Sequence, residues 1–478
     1  MTSTSLDEHE KPSDNATVTT NPPTGGWGEL LSRKHLASVA ILAGGVALYA
    51  MNLYFTAALM PSIVDDIGGA DYYAWVATGF LMAAVVASML VSRVLGNRGV
   101  RGAYLVGFLT FGAGAAANAL SPTMELLLAG RVIQGFGGGL LAGLGYAVIR
   151  AALPSHLWAR AAGLVSAMWG VGTLVGPTLG GAFAQFGAWR WAYALLMLAA
   201  AVLAVLGYRA LPPRAAAPPS HSRLPLLSLA LLTAAAAVFS ISSTVSAGWP
   251  TAGCMAAGAV LLGVFLVAEK RGGSSVLPRS TYQRDNSLKW VYLTVAALCA
   301  GVMTENFIPL FGQELGDLAP FAAGLLGAAL SVGWVVSQLF SVNLGPAAAR
   351  RAIRTAPVLL TCGLLVYGFA QTDDAAVVLV LLWAAALFVA GVGIGLAFPH
   401  LSVAAMASTT DEHEGAKAAA ALSTTQLIAY TVTSAVAGTL VNLGGDSVLD
   451  SSRLMTFGIA AITVAGTFTA WRATPRGR

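Results

Sequence analysis

Residues Gly163–Phe183 read GLVSAMWGVGTLVGPTLGGAF, an apolar run long enough to span a bilayer. Gly172, Gly176 and Gly180 recur at steps of four, Pro177 sits among them, and Gly181 doubles the last glycine. On an α-helix such steps line up along one slowly drifting face, which then carries almost no side chains. In a membrane that face lets a neighbouring backbone approach closely. Pro177 withholds the hydrogen bond its amide would give the Thr173 carbonyl, and bends the helix. In water an interior proline costs about 3 kcal/mol, whereas within a bundle neighbours satisfy the freed carbonyl. The run reads as a bent, tightly packed membrane helix, suited to holding a seal and shifting it.

The composition around this run agrees. Of 478 residues, 56% are hydrophobic and only 10% charged, and 54 are glycine. Soluble chains carry about 25% charge, so the sequence is that of an all-α polytopic membrane protein. Residues 1–35 are polar, with Asp7, Glu8, Glu10 and Asp14, and are expected to form a disordered tail and not a signal peptide. Cys254, Cys299 and Cys362 all lie in apolar runs and suggest neither a disulfide framework nor a metal site. Arg outnumbers Lys 21 to 5, the usage of a GC-rich bacterial genome.

Working outward, apolar stretches of about 17 to 25 residues predict fourteen membrane helices. Six fall in 36–211, two in 224–267 and six in 288–472. Between them lie a linker at 212–223 and a basic loop at 268–287, with a short tail at 473–478. An even count puts both termini on one side. With that side cytoplasmic, 23 of the 26 Lys and Arg fall inside, leaving Arg190 and Arg453 outside and Arg131 within helix 4. The positive-inside rule demands such a bias, and a miscounted span would scramble it. Asp65, Asp66, Asp71, Glu314, Asp317, Asp373 and Asp374 all land on the outer side.

The two sets of six resemble each other. Helix 4 carries GFGGG from Gly135 and helix 12 carries GVGIG from Gly391, and the loops after helices 2 and 10 are both short and basic. Parallel six-helix halves around a central cavity are one architecture of secondary transporters. The GxxxxGK[ST] phosphate-binding pattern is absent from the sequence, as are paired-carboxylate, His/Cys and nucleophile constellations. Transport without catalysis, cofactor, metal or nucleic acid is therefore expected, driven by an ion gradient or by the substrate's own.

Four stretches carry a resemblance to a known family. Helix 5 has Gly172, Gly176, Pro177, Gly180 and Gly181. Helix 4 has Arg131, Gln134, Gly135 and Gly137 in GRVIQGFGGG. Trp189-Arg190-Trp191 enters helix 6, and an uncharged two-helix insert precedes the second half. Together they resemble the major facilitator superfamily, specifically its fourteen-helix drug:proton antiporter group. The resemblance implies a major facilitator fold of two six-helix bundles plus two additional helices central in the sequence. It also implies export, by an antiporter motif on helix 5. Two places depart from the family. The loop after helix 2 reads SRVLGNRGVR, keeping Gly99 and Arg101 but placing Gly96 where the family has Asp. Asn52 stands where helix 1 of the family often has Asp, so a proton-coupling acid must lie elsewhere.

Two ionisable residues fall well inside spans, Arg131 and Glu305. A charge at bilayer depth costs about 2.5–3.5 kcal/mol on insertion scales and is tolerated facing a cavity or a partner. One reading makes Glu305 the proton-binding group, with Arg131 tuning when it is charged; the other is a structural ion pair or a vestibule carboxylate. Asn52, Thr56, Gln134, Thr425, Gln426 and Tyr430 are the polar candidates for a substrate pocket, against a reading as interhelical hydrogen-bond glue. The leading expectation is a monomeric, proton-coupled exporter of an amphipathic, largely hydrophobic small molecule, in a bacterial plasma membrane. A proton-independent facilitator or lipid mover of the same fold and a transporter-like ligand sensor are the alternatives.

Overall fold

The computed structural model describes residues 27–149, 153–154, 157–211, 226–242, 244–245, 248–271, 279–283, 286–341, 344–406 and 412–474. Regular structure among them is entirely helical. Of the expected tail over 1–35, residues 1–26 lie outside the described residues, as does the linker, within 212–225; 27–35 includes a short helix, Trp27–Leu30, with Leu30 buried. The long helices are α1 (Leu36–Ile67), α2 (Ala70–Val91), α3 (Arg93–Ala119), α4 (Met124–Ala147), α5 (Trp158–Gln185), α6 (Trp189–Ala210), α7 (Leu226–Ile241) and α8 (Trp249–Arg271). Then come α9, in two pieces (Leu288–Val302 and Ile308–Gly316), α10 (Pro320–Ser341), α11 (Pro346–Ala370), α12 (Val377–Met406), α13 (Glu412–Asn442) and α14 (Val448–Ala473). Eleven segments among the described residues are long and apolar enough to cross a membrane. The described part of α7 is short, at 16 residues, while α5 and α13 are long but diluted by Gly, Ser, Thr and Gln.

α2 and α3 run on over Tyr73–Ala119 as one helical stretch, kinked within the first turns of α3 at Gly99, whose φ of 68° and ψ of −179° exclude residues with a side chain. Glycine contacts give the directions. A Cβ on Gly135 or Gly139 of α4 would strike the backbone at Phe80 or Ala84 of α2, so these helices run parallel. Gly137 sits against Phe111 of α3 and Gly130 against Asn118, so that pair runs antiparallel. The second half repeats the scheme: Gly391 and Gly395 of α12 touch Leu330 and Trp334 of parallel α10, and Gly393 touches Ala356 of antiparallel α11. GFGGG and GVGIG are thus the same packing device, used once per half.

Each half has its own core. One gathers Phe108, Leu141, Trp189 and Tyr193. The other gathers Leu298, Leu330, Trp383 and Tyr430, and also takes in Tyr49, Tyr54 and Phe80 from the first half. The α7–α8 insert, central in sequence, is peripheral in space. α7 docks on α13, where Asn442 Nδ2 donates to the Ser242 and Val245 carbonyls at 3.2 and 3.0 Å and Ser242 and Thr439 share a hydroxyl contact. α8 leaves most of its apolar surface outward.

The two bare faces of α5 meet different partners. Gly172, Gly176 and Gly180 lie on α1 of the same half, where added Cβ atoms would come within 2.5–2.8 Å of Ala50, Met51 and Phe55. The contact with the second half belongs to Pro177 and Gly181. A Cβ on Gly181 would lie 2.6 Å from the Pro320 carbonyl oxygen, and one on Gly324 2.4 Å from that of Pro177. With Gly170 against Val335, the antiparallel α5–α10 seam extends along both helices.

Candidate functional site

The break in α9 follows from its sequence. Pro309 has no amide to give the carbonyl four residues earlier, that of Glu305, and its ring crowds that carbonyl. The chain answers with a 3-10 turn at Met303–Asn306. The turn carries Glu305 into the space between the halves, where it is only 2% exposed. Ser331 of α10 donates to its Oε1 at 2.6 Å, and Oε2 has no hydrogen-bond partner. Tyr54 of α1 lies within electrostatic reach of Glu305, beside Cys299 and Tyr430.

Arg131 is fully buried on α4. Its Nε donates to the Val76 carbonyl at 3.2 Å and its Nη1 to Gln134 Oε1 at 2.8 Å, while the guanidinium carbon sits 4.3 Å from the Phe80 ring centroid. Asn118 Nδ2 also donates to Gln134 Oε1, at 3.0 Å. Gln134 therefore orients Arg131 from within the first half and does not line the cleft. Among the described residues no ion pair or hydrogen bond joins Arg131 to Glu305; the groups that act electrostatically on Arg131 are Tyr49 and Tyr193.

A narrow cleft between the halves has room for about a water-sized group; Thr56, Tyr73, Arg131, Asn306, Phe307 and Ser434 contribute to its lining. It lies toward the end bearing Asp65, Asp66 and Asp71, here termed the acidic end. There the halves touch directly: Tyr73 stacks on Phe307 at 5.2 Å, and Thr78 Oγ1 donates to Ser434 Oγ at 3.2 Å. Thr56 lines the cleft and shares a hydroxyl bond with Tyr193 at 3.1 Å. Asn52 is buried with both amide atoms unpartnered. Thr425 bonds its own helix, at the Ala421 carbonyl; Gln426 is half-buried; Tyr430 is buried opposite Tyr54. Sequence reading missed Ser331, Tyr73, Asn306, Phe307 and Ser434. Pro309 was the available signal for the α9 turn, but Ser331 and Ser434 carry none, since Ser is common in membrane helices.

At the opposite, basic end, Arg101 caps α6. Its Nε and Nη2 donate to the Leu211 carbonyl at 2.8 and 2.6 Å, over the Tyr208 ring. Arg354 at the start of α11 does the same for α14, gripping the Thr474 carbonyl and, at 2.8 Å, its hydroxyl, over the Trp471 ring. The basic loops after α2 and α10 are therefore equivalent in role as well as in composition.

The sequence profile of the Major Facilitator Superfamily matches residues 42–438. A probable multidrug-efflux transporter of Mycobacterium tuberculosis (strain ATCC 25618 / H37Rv) is 43% identical over 462 residues, covering 95% of this chain and 98% of that protein. The multidrug efflux pump SdrM of Staphylococcus aureus (strain N315) is 27% identical over 279 residues, covering 58% and 62%. Among solved structures, a POT family transporter in complex with 5-aminolevulinic acid superposes with a TM-score of 0.67 at 13% identity, covering 95% and 99%. A D-xylose-proton symporter superposes with 0.65 at 14%, covering 92% and 98%. The structural likeness shows the fold; the sequence likeness shows the family. A multipass chain of this kind is a transporter and not an enzyme. It belongs to the Major Facilitator Superfamily.

Proposed function

We propose that the protein is a proton-coupled exporter of amphipathic, largely hydrophobic organic compounds, crossing a bacterial plasma membrane fourteen times with both termini inside. The acidic end then faces outward. The carrying observation is Glu305, a membrane carboxyl set between the halves by the α9 break, with one oxygen held by Ser331 and the other unpartnered. That oxygen is where a proton binds. In the protonated state the carboxyl is neutral and the halves separate at the acidic end, releasing substrate. Loss of the proton to the inside restores the charge and favours reloading. Arg131 is the second ionisable group at that interface, held to the first half by Val76 and Gln134 and not paired with Glu305. The α5–α10 seam, where Pro177 meets Gly324, is the surface on which the halves rock.

The names of the relatives support efflux of drug-like compounds. Asn52, Thr56, Tyr430 and Gln426 are the groups proposed to meet the polar part of the substrate. Everted vesicles containing the protein test this reading. An inward-acidic gradient should drive uptake of a lipophilic dye, and collapse of that gradient should stop it. Uptake that is unchanged by collapse supports the facilitator instead, in line with the non-titratable Asn52 and Gly96.

A further inference from the structure

Arg131 is a buried cation without a counter-charge. A guanidinium does not shed its proton in a protein, so burial cannot neutralise it. A buried charge left unpaired is strongly disfavoured, and what normally balances it is an anion with matching hydrogen-bond geometry. Among the described residues no carboxylate pairs with Arg131; its electrostatic neighbours, Tyr49 and Tyr193, are phenols. Three features aim the missing partner at one place. Nε and Nη1 are engaged, whereas Nη2 has no acceptor. Arg131 lines the cleft. The Ser434 hydroxyl, also lining it, accepts from Thr78 and so keeps its own hydrogen to donate. Thr56 and Tyr193 add hydroxyls beside the guanidinium. The remaining walls include the stacked rings of Tyr73 and Phe307.

We propose that this cleft seats a negative charge carried by the substrate: an amphipathic carboxylate whose headgroup meets Nη2 of Arg131 and Ser434 Oγ, with its apolar body against Tyr73 and Phe307. The inference rests on the reading of the chain as a transporter of amphipathic compounds and narrows that class to organic anions. The cleft as it stands takes about a water-sized group, so the substrate is seated as the halves part and Tyr73 and Phe307 unstack. The two carboxylate oxygens can take one bond from Nη2 and one from the Ser434 hydroxyl, and the bond to the guanidinium is charge-assisted.

Equilibrium binding of radiolabelled decanoate to the purified full chain in a neutral detergent tests the site without any gradient. Saturable binding is expected, with decanamide and decylamine competing at least tenfold less well than unlabelled decanoate. Asn306→Asp, which adds a negative charge to the cleft wall and leaves Arg131 in place, should weaken binding at least tenfold while the melting temperature of the unliganded protein holds. Arg131→Lys should retain more binding than Arg131→Gln. Equal competition by all three compounds, or an unchanged affinity in Asn306→Asp, overturns the proposal. So does displacement by phosphatidylglycerol or chloride at lower concentration than by decanoate, which would assign Arg131 to a lipid phosphate or an inorganic ion. Because binding is read at fixed pH, a chain that binds decanoate but ignores a pH gradient refutes only the proton coupling.

Discussion

Arg101 and Arg354 perform one task at two places. At the end of the sixth helix of its own half, Arg101 forks onto the Leu211 carbonyl and Arg354 onto the Thr474 carbonyl and hydroxyl, each over the aromatic ring three residues earlier. Helix C-termini leave carbonyls unsatisfied and carry partial negative charge, so a guanidinium there gains twice. Charge-assisted bonds of this kind at a half-buried site are worth about 1–2 kcal/mol. Arg101→Ala and Arg354→Ala should each lower the unfolding midpoint in detergent. Since the two sites share no partner, their stability losses should add to within about 0.5 kcal/mol in the double variant. Strong non-additivity would mean that the two caps communicate. The missing acid at Gly96 is accordingly no gap in the fold, because Arg101 finds its acceptor in the backbone.

At the scale of the helix, glycine has opposite effects in different places. Ala is intrinsically better in a helix than Gly by about 1 kcal/mol. On α8, nothing lies within 4 Å of a Cβ added at Gly253, so Gly253→Ala should stabilise slightly. At Gly181 the same methyl would lie 2.6 Å from the Pro320 carbonyl oxygen, and backbone must move. Overpacking of that sort costs about 1–3 kcal/mol, so the clash outweighs propensity there. Gly181→Ala should lower both the unfolding midpoint and the transport rate, because it wedges the seam between halves. Gly172→Ala, wedged against α1 within one half, should lower stability with a smaller effect on cross-linking between α5 and α10. Midpoints and cysteine cross-linking yields for the three variants check the ordering. Equal cross-linking losses at Gly172 and Gly181 would remove the distinction between the faces of α5.

For the whole molecule, hydrophobicity made the helices legible, because bilayer thickness sets their length, and eleven segments among the described residues meet that measure. The parallel use of GFGGG and GVGIG was legible too, since only glycine permits such backbone contact. Partners were not legible. A helix with two bare faces does not say which neighbour takes which, and α5 gave its regular stripe to α1 and its proline to α10. Arg131 and Glu305 stood out as charges in apolar runs, but their separation is a property of three-dimensional packing, in which Gln134 and Asn118 hold the arginine to the first half. Ser331 and Ser434 have meaning only through what faces them.

Purified protein in proteoliposomes, with an imposed pH gradient, offers the most direct test of proton coupling at Glu305. Glu305→Gln keeps the size of the side chain and removes its titration. The variant should fold, bind substrate and exchange it in counterflow without a gradient, yet show no accumulation when the gradient is applied. Gradient-driven accumulation by Glu305→Gln at the native rate would contradict the assignment of the proton to this residue.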